Sequence, residues 1–88
     1  MKFKMGELAR INSLPGGMKM FISAWKADGK IDSLDNDMAN IKDGSIVLIL
    51  DSWLDDRRDL VFVKFLLGDE LFFIEEHYLE NVRWTKNL

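Results

Sequence analysis

His77 is the single histidine of this 88-residue chain, and it follows two carboxylates in Glu75-Glu76-His77. A carboxylate beside an imidazole is the raw material of general acid–base chemistry. With one histidine and no cysteine, however, a His/His or Cys/His constellation cannot be assembled within one chain. In a short turn this histidine reads as a surface residue. Asp55, Asp56 and Asp59 crowd one segment, but Arg57 and Arg58 lie among them and the signs largely cancel. That pattern reads as a solvated hairpin tip rather than a cation site. Asp28-Gly29-Lys30-Ile31-Asp32 has the glycine and isoleucine of the second half of a calcium loop, with Asp35 at the closing position. Its first and third ligand positions would be Ala24 and Lys26, which bring no oxygen ligand, so a polar turn is the better reading. Pro15-Gly16-Gly17 lacks the Lys and Ser/Thr of a phosphate loop. No enzyme signature survives, and no catalytic residue, metal, cofactor or small-molecule substrate is expected.

A basic groove with stacking aromatics would suit a nucleic-acid strand. Arg57, Arg58, Lys64, Arg83, Trp84 and Lys86 could supply one beside Trp53. The net charge of −3 weakens the phosphate-driven attraction that provides most such affinity. Nucleic-acid association is therefore the disfavoured alternative.

The elements that must position these residues are strands. Gly44 to Val82 reads as three apolar runs cut by compact polar turns and closed by a short final strand. Ser45 to Trp53 is apolar at both parities, which suggests a strand buried on both faces for part of its length. Leu54 to Asp59 is the hairpin tip, Leu60 to Leu67 the next strand, and Gly68-Asp69 a tight turn into Glu70 to Ile74. Glu75 to Tyr78 reads as one 3₁₀ turn, Leu79 to Trp84 as the closing strand, and residues 85–88 as a tail. Met5 to Asn12 reads as the first strand. Residues 13–43 form a long insertion. Its Met18 to Trp25 run fits a strand better than a helix because Asp28-Gly29 follows at once. Leu34, Met38 and Ile41 stand at helical spacing, so Asp32 to Lys42 reads as one or two helical turns or an ordered loop.

At this length the chain is a single domain, residues 1–88, and its 48% hydrophobic content with six Phe and three Trp is ample for one modest core. Without disulfides or metal, a domain this small often leans on oligomerisation or a partner. No apolar run reaches the roughly 18 residues of a membrane helix, and the N-terminus has no apolar stretch of signal-peptide type. The expected location is the cytoplasm.

Strand, long loop, three hairpin-linked strands, one 3₁₀ turn and a short last strand is the layout of Src homology 3-like barrels, and Ile74 to Val82 resembles their closing turn and strand. Met5-Gly6-Glu7-Leu8-Ala9-Arg10-Ile11, Gly44 to Ser52, Val61 to Phe65 and Leu79-Glu80-Asn81-Val82 resemble blocks of small barrel proteins of tailed bacteriophages. The resemblance implies an all-β fold, a five-stranded antiparallel barrel with the insertion between strands 1 and 2. It also implies a phage accessory protein or minor virion or assembly component, in the host cytoplasm or the virion. The acidic-aromatic loop and paired tryptophans that grip proline-rich peptides are missing, so that activity does not transfer.

One further signal points to function: too much apolar surface. If Val61, Val63, Phe65 and Leu67 fill the barrel, then Leu60, Phe62 and Leu66 point outward with only Lys64 among them. Exposed rows of this kind mark contact sites. The expected contact residues are Trp25, Trp53, Leu60, Phe62, Leu66, Phe72 and Trp84. Either the insertion folds over this row, or a protein partner or second copy of the chain covers it.

Overall fold

The computed structural model describes residues 3–12, 21–27 and 37–82. Within these residues seven strands form one curled antiparallel sheet, a half-barrel, in the order β3-β2-β6-β5-β4-β1-β7. In chain order they are β1 Leu8–Ile11, β2 Phe21–Lys26, β3 Met38–Lys42, β4 Ile46–Asp55, β5 Leu60–Leu67, β6 Glu70–Glu75 and β7 Leu79–Asn81, with a 3₁₀ turn at Glu76–Tyr78 before β7. The mainly-β class is as expected. Seven strands replace the expected five, because the insertion supplies a hairpin of its own, β2–β3.

Helical turns are not formed over β3. A helix would set Met38 and Ile41 on one face, yet Met38 is 50% exposed and Ile41 4%. Period-2 alternation wins because Ala39 and Ile41 lie opposite Ala24 and Ile22, so one face of the hairpin reaches the core. Residues 32–36, with Leu34 of the helical spacing, and the calcium-like segment from Asp28 to Asp32 lie outside the described residues.

The meander β4–β5–β6 is the backbone of the sheet. Leu67 and Glu70 face each other across Gly68-Asp69, and Gly68 takes φ 64, the left-handed value that the first position of a two-residue II′ turn needs. At the other hairpin β4 runs on to Asp55, so the tip shortens to 56–59. Asp55 ties that tip: its carboxylate accepts from the Arg58 guanidinium at 2.7 Å and from the Arg57 backbone N–H at 3.0 Å. The Arg58 hydrogen bond, more than any other contact, holds the Asp55 carboxyl below the usual carboxylate range.

Strand β4 carries the decisive irregularity. Its pairing with β5 slips between Ile49 and Asp51, a β-bulge at Leu50. Before the slip the odd residues Val47 and Ile49 face inward and are buried. After it the even residues Ser52 and Leu54 take that side, opposite Val63 and Val61, and Trp53 turns outward opposite Phe62. Ahead of the slip the even residues Ile46 and Leu48 stand on the outer face, exposed and half-buried, so the apolar content at both parities reflects an apolar outer face behind the core, not burial of both sides.

The interior is one cluster. Phe3, Ala9, Ile11, Ile22, Ala24, Ile41, Val47, Ile49, Val63, Phe65, Phe72, Ile74 and Leu79 are buried together, drawing on every strand of the sheet. Of the expected filling residues of β5, Val63 and Phe65 have no exposure, while Val61 and Leu67, toward the strand ends, are half-buried.

Candidate protein-contact face

The outer face of the sheet divides into an aromatic part, which the insertion hairpin covers, and a leucine part, at which Leu8 and Ile46 are exposed. Phe62 and Phe73 are the centre of the first, 2% and 1% exposed. Trp25, from the insertion hairpin, lies over them. It stacks on Phe73 at 5.4 Å with 14° between the planes and meets Phe62 edge-on at 5.9 Å. Trp53, turned outward by the bulge, stacks on Phe62 at 5.9 Å from the other side. Ala27, Leu60 and Leu71 complete this second core. Offset and edge-on pairs at these spacings are favourable beyond the area they bury.

The expected contact residues therefore separate. Trp25, Trp53, Leu60 and Phe62 do come together, but as a packed cluster in which Phe62 has no surface to offer. Phe62 on the solvent side is corrected: its outward parity is real, and the insertion covers it. Phe72 is corrected as well, since it lies on the inner face, opposite Phe65 and stacked on it at 5.7 Å. Leu66 is half-buried on the outer face. Trp84 lies outside the described residues.

Leu66 belongs to the second part of the outer face. Leu8 stands opposite Leu48, Leu48 opposite Leu66, and Leu66 opposite Leu71, so four leucines form one straight row across β1, β4, β5 and β6, and Leu71, which also packs on the aromatic cluster, joins the two parts. Leu8 is 38% exposed, Ile46 beside the row is 44% exposed, and the other leucines are half-buried. Directly opposed residues on one face are in contact distance, so the row is a continuous apolar stripe. Polar groups rim it on both sides. On one side Arg10, opposite Ile46, pairs with Glu80 at 3.4 Å, and Asn12 donates to the same carboxylate at 3.0 Å. On the other side Lys64 stands between Asp51 and Phe73 in the register. An open cleft of about 370 Å³, lined by Gly6, Glu7, Leu8, Asn81 and Val82, continues the stripe beyond Leu8.

Leu8, Ile46 and Leu48 were not among the residues expected to make contact. Each sits in a strand that the pattern reveals, but what makes them a surface is the cross-strand register, which no single strand's pattern contains.

The groups considered for chemistry stay apart. His77 is exposed, with its ring 4.4 Å from that of Tyr78. Asp55 is engaged by the turn, and no group of three His, Cys, Asp or Glu side chains among the described residues could hold a metal ion. Of the basic residues considered for a nucleic-acid groove, Arg58 is bound to Asp55, and Arg83 and Lys86 lie outside the described residues. No helix among the described residues is long and apolar enough to cross a membrane. No protein-family model matches this chain, and no curated protein or solved structure is significantly similar to it.

Proposed function

We propose that this chain is a non-enzymatic protein-binding barrel whose contact surface is the leucine row of its outer sheet face. The observation that carries this reading is the alignment of Leu8, Leu48, Leu66 and Leu71 on the face opposite the core, with Leu8 and Ile46 left exposed. An apolar stripe with a charged and hydrogen-bonded rim has the anatomy of a protein interface. The strand order, with β1 between β4 and β7 and a 3₁₀ turn before β7, supports a Src homology 3-like barrel carrying an extra hairpin. The resemblance to phage barrels supports an accessory or minor virion or assembly role, in the host cytoplasm or the virion. The alternative, nucleic-acid association, has less support, because Arg58 is already held by Asp55.

A photoreactive amino acid at Leu48, in the full chain and in the cells that produce it, tests this reading. The expected result is a covalent adduct of one discrete protein mass, absent when the same group is placed at Asp69, on the exposed β5–β6 turn. A nucleic-acid adduct, no adduct from Leu48, Leu8 and Ile46 alike, or equal adducts from Asp69 would overturn it.

A further inference from the structure

Among the described residues strand β3 is one edge of the sheet, with only β2 beside it. The Lys26 N–H donates to the Asp37 carbonyl at 2.7 Å, which fixes the phase of the β2–β3 ladder. Pairs alternate between hydrogen-bonded and non-hydrogen-bonded in an antiparallel ladder. With Lys26 opposite Asp37 as a bonded pair, Ala24 with Ala39 and Ile22 with Ile41 are the next bonded pairs. The N–H and C=O groups of Met38, Asn40 and Lys42 therefore point away from the sheet. Ser45 uses the Lys42 carbonyl, through its N–H at 3.2 Å and its hydroxyl at 2.7 Å. The other groups of this row have no backbone partner among the described residues, and Met38, Asn40 and Lys42 are all exposed.

Edge strands are normally blunted by proline, by a bulge, by shortness or by several charges. β3 has five residues, no proline and no bulge, and its single charge, Lys42, is at the end. Beside it Phe21 is 51% and Met38 50% exposed, so the edge is apolar as well as open. At the opposite edge β7 has three residues.

We propose that β3 pairs antiparallel with β3 of a second copy, about a two-fold axis at Asn40. Only an even residue can face an even residue if the outward groups are to meet, and centring on Asn40 uses all of them except the Lys42 carbonyl, which Ser45 already occupies. Met38 then lies opposite Lys42 of the second copy, and Asn40 opposite its own counterpart. On the inner face Ala39 lies opposite Ile41 of the second copy, so core side meets core side and the sheet continues across the axis. The register places Asp37 opposite Asp43 of the second copy at each end, outside the strand, where solvent and salt weaken their repulsion. The arrangement is isologous, so it closes at two chains instead of growing into a fibre. It uses the sheet edge, not the leucine row, and so stands or falls independently of the proposed contact face.

Because the chain has no cysteine, one introduced thiol tests the register. Across the axis Asn40→Cys would face itself with Cα atoms about 5.5 Å apart, inside the disulfide range of about 4.4–6.8 Å. Met38→Cys would be about 14 Å from its counterpart and could not close. Under mild oxidation of the full chain, Asn40→Cys is expected to give a covalent dimer and Met38→Cys none. In sedimentation the unmodified chain is expected to run as two chains of 10.2 kDa. Asn40→Pro removes an outward N–H that the β2–β3 ladder does not use, so it should run as a folded monomer. A monomeric unmodified chain, equal crosslinking by both cysteine variants, or a dimer that survives Asn40→Pro would overturn the proposal.

Discussion

Phe62→Ala is expected to lower the melting temperature by at least about 12 °C. Removing a fully buried Phe costs about 3–5 kcal/mol, and in a domain of this size each kcal/mol moves the midpoint by about 4–8 °C. The effect is large because Phe62 is 2% exposed and touches Trp25, Trp53 and Phe73 at once. Phe62→Asp should leave no cooperative transition, since it puts a carboxylate among the apolar and aromatic side chains of Ala27, Leu60, Leu71, Phe73, Trp25 and Trp53. Loosening should begin at the insertion. β2 is registered to β6 through Trp25–Phe73 and Lys26–Phe72, extended by the Ala27 N–H donating to the Leu71 carbonyl at 2.9 Å, a short pairing to which the outer cluster adds its packing. In Phe62→Ala, amide exchange should accelerate first in residues 21–26 and 38–42. A Phe62→Ala melt equal to that of the unmodified chain would mean that the insertion does not cover this side.

Phe65→Ala is expected to destabilise by a comparable amount, about 3–5 kcal/mol, but with exchange raised across the whole sheet. Phe65 has no exposure and belongs to the cluster to which all seven strands contribute. Its stacking on Phe72 at 5.7 Å should appear in a double-mutant cycle as a coupling of about 0.5–1.5 kcal/mol. Urea unfolding reads both quantities. A midpoint shift worth less than about 1 kcal/mol would contradict a single inner core, because surface substitutions stay near that range or below it.

These two phenylalanines show how much of the fold was legible in the sequence. Leu60 to Leu67 is apolar at both parities apart from Lys64, yet its strand, its turn at Gly68-Asp69 and its inner set Val63 and Phe65 follow from period-2 reasoning. The opposite parity of Phe62 was equally legible, but its cover was not. Trp25 is thirty-odd residues away along the chain and reaches Phe62 only because β2 pairs with β6. Two other features stayed hidden for local reasons. Met38 to Lys42 is too short and too mixed for its period to be decided without its partner strand. The bulge at Leu50 changes which parity faces inward, and the apolar outer residues Ile46 and Leu48 ahead of it leave no alternation from which to read that change. The contact face was the least legible part. Leu8, Leu48, Leu66 and Leu71 lie in four different strands, and only the register aligns them.

Residue-resolved carbene footprinting of the full chain tests most directly whether the insertion closes the aromatic part of the outer face and leaves the leucine part open. Strong labelling is expected at Leu8 and Ile46, which are 38% and 44% exposed, with protection at Phe62 and Phe73. Labelled Phe62 and Phe73 beside protected Leu8 and Ile46 would contradict the account, because the insertion would then lie over the leucine row.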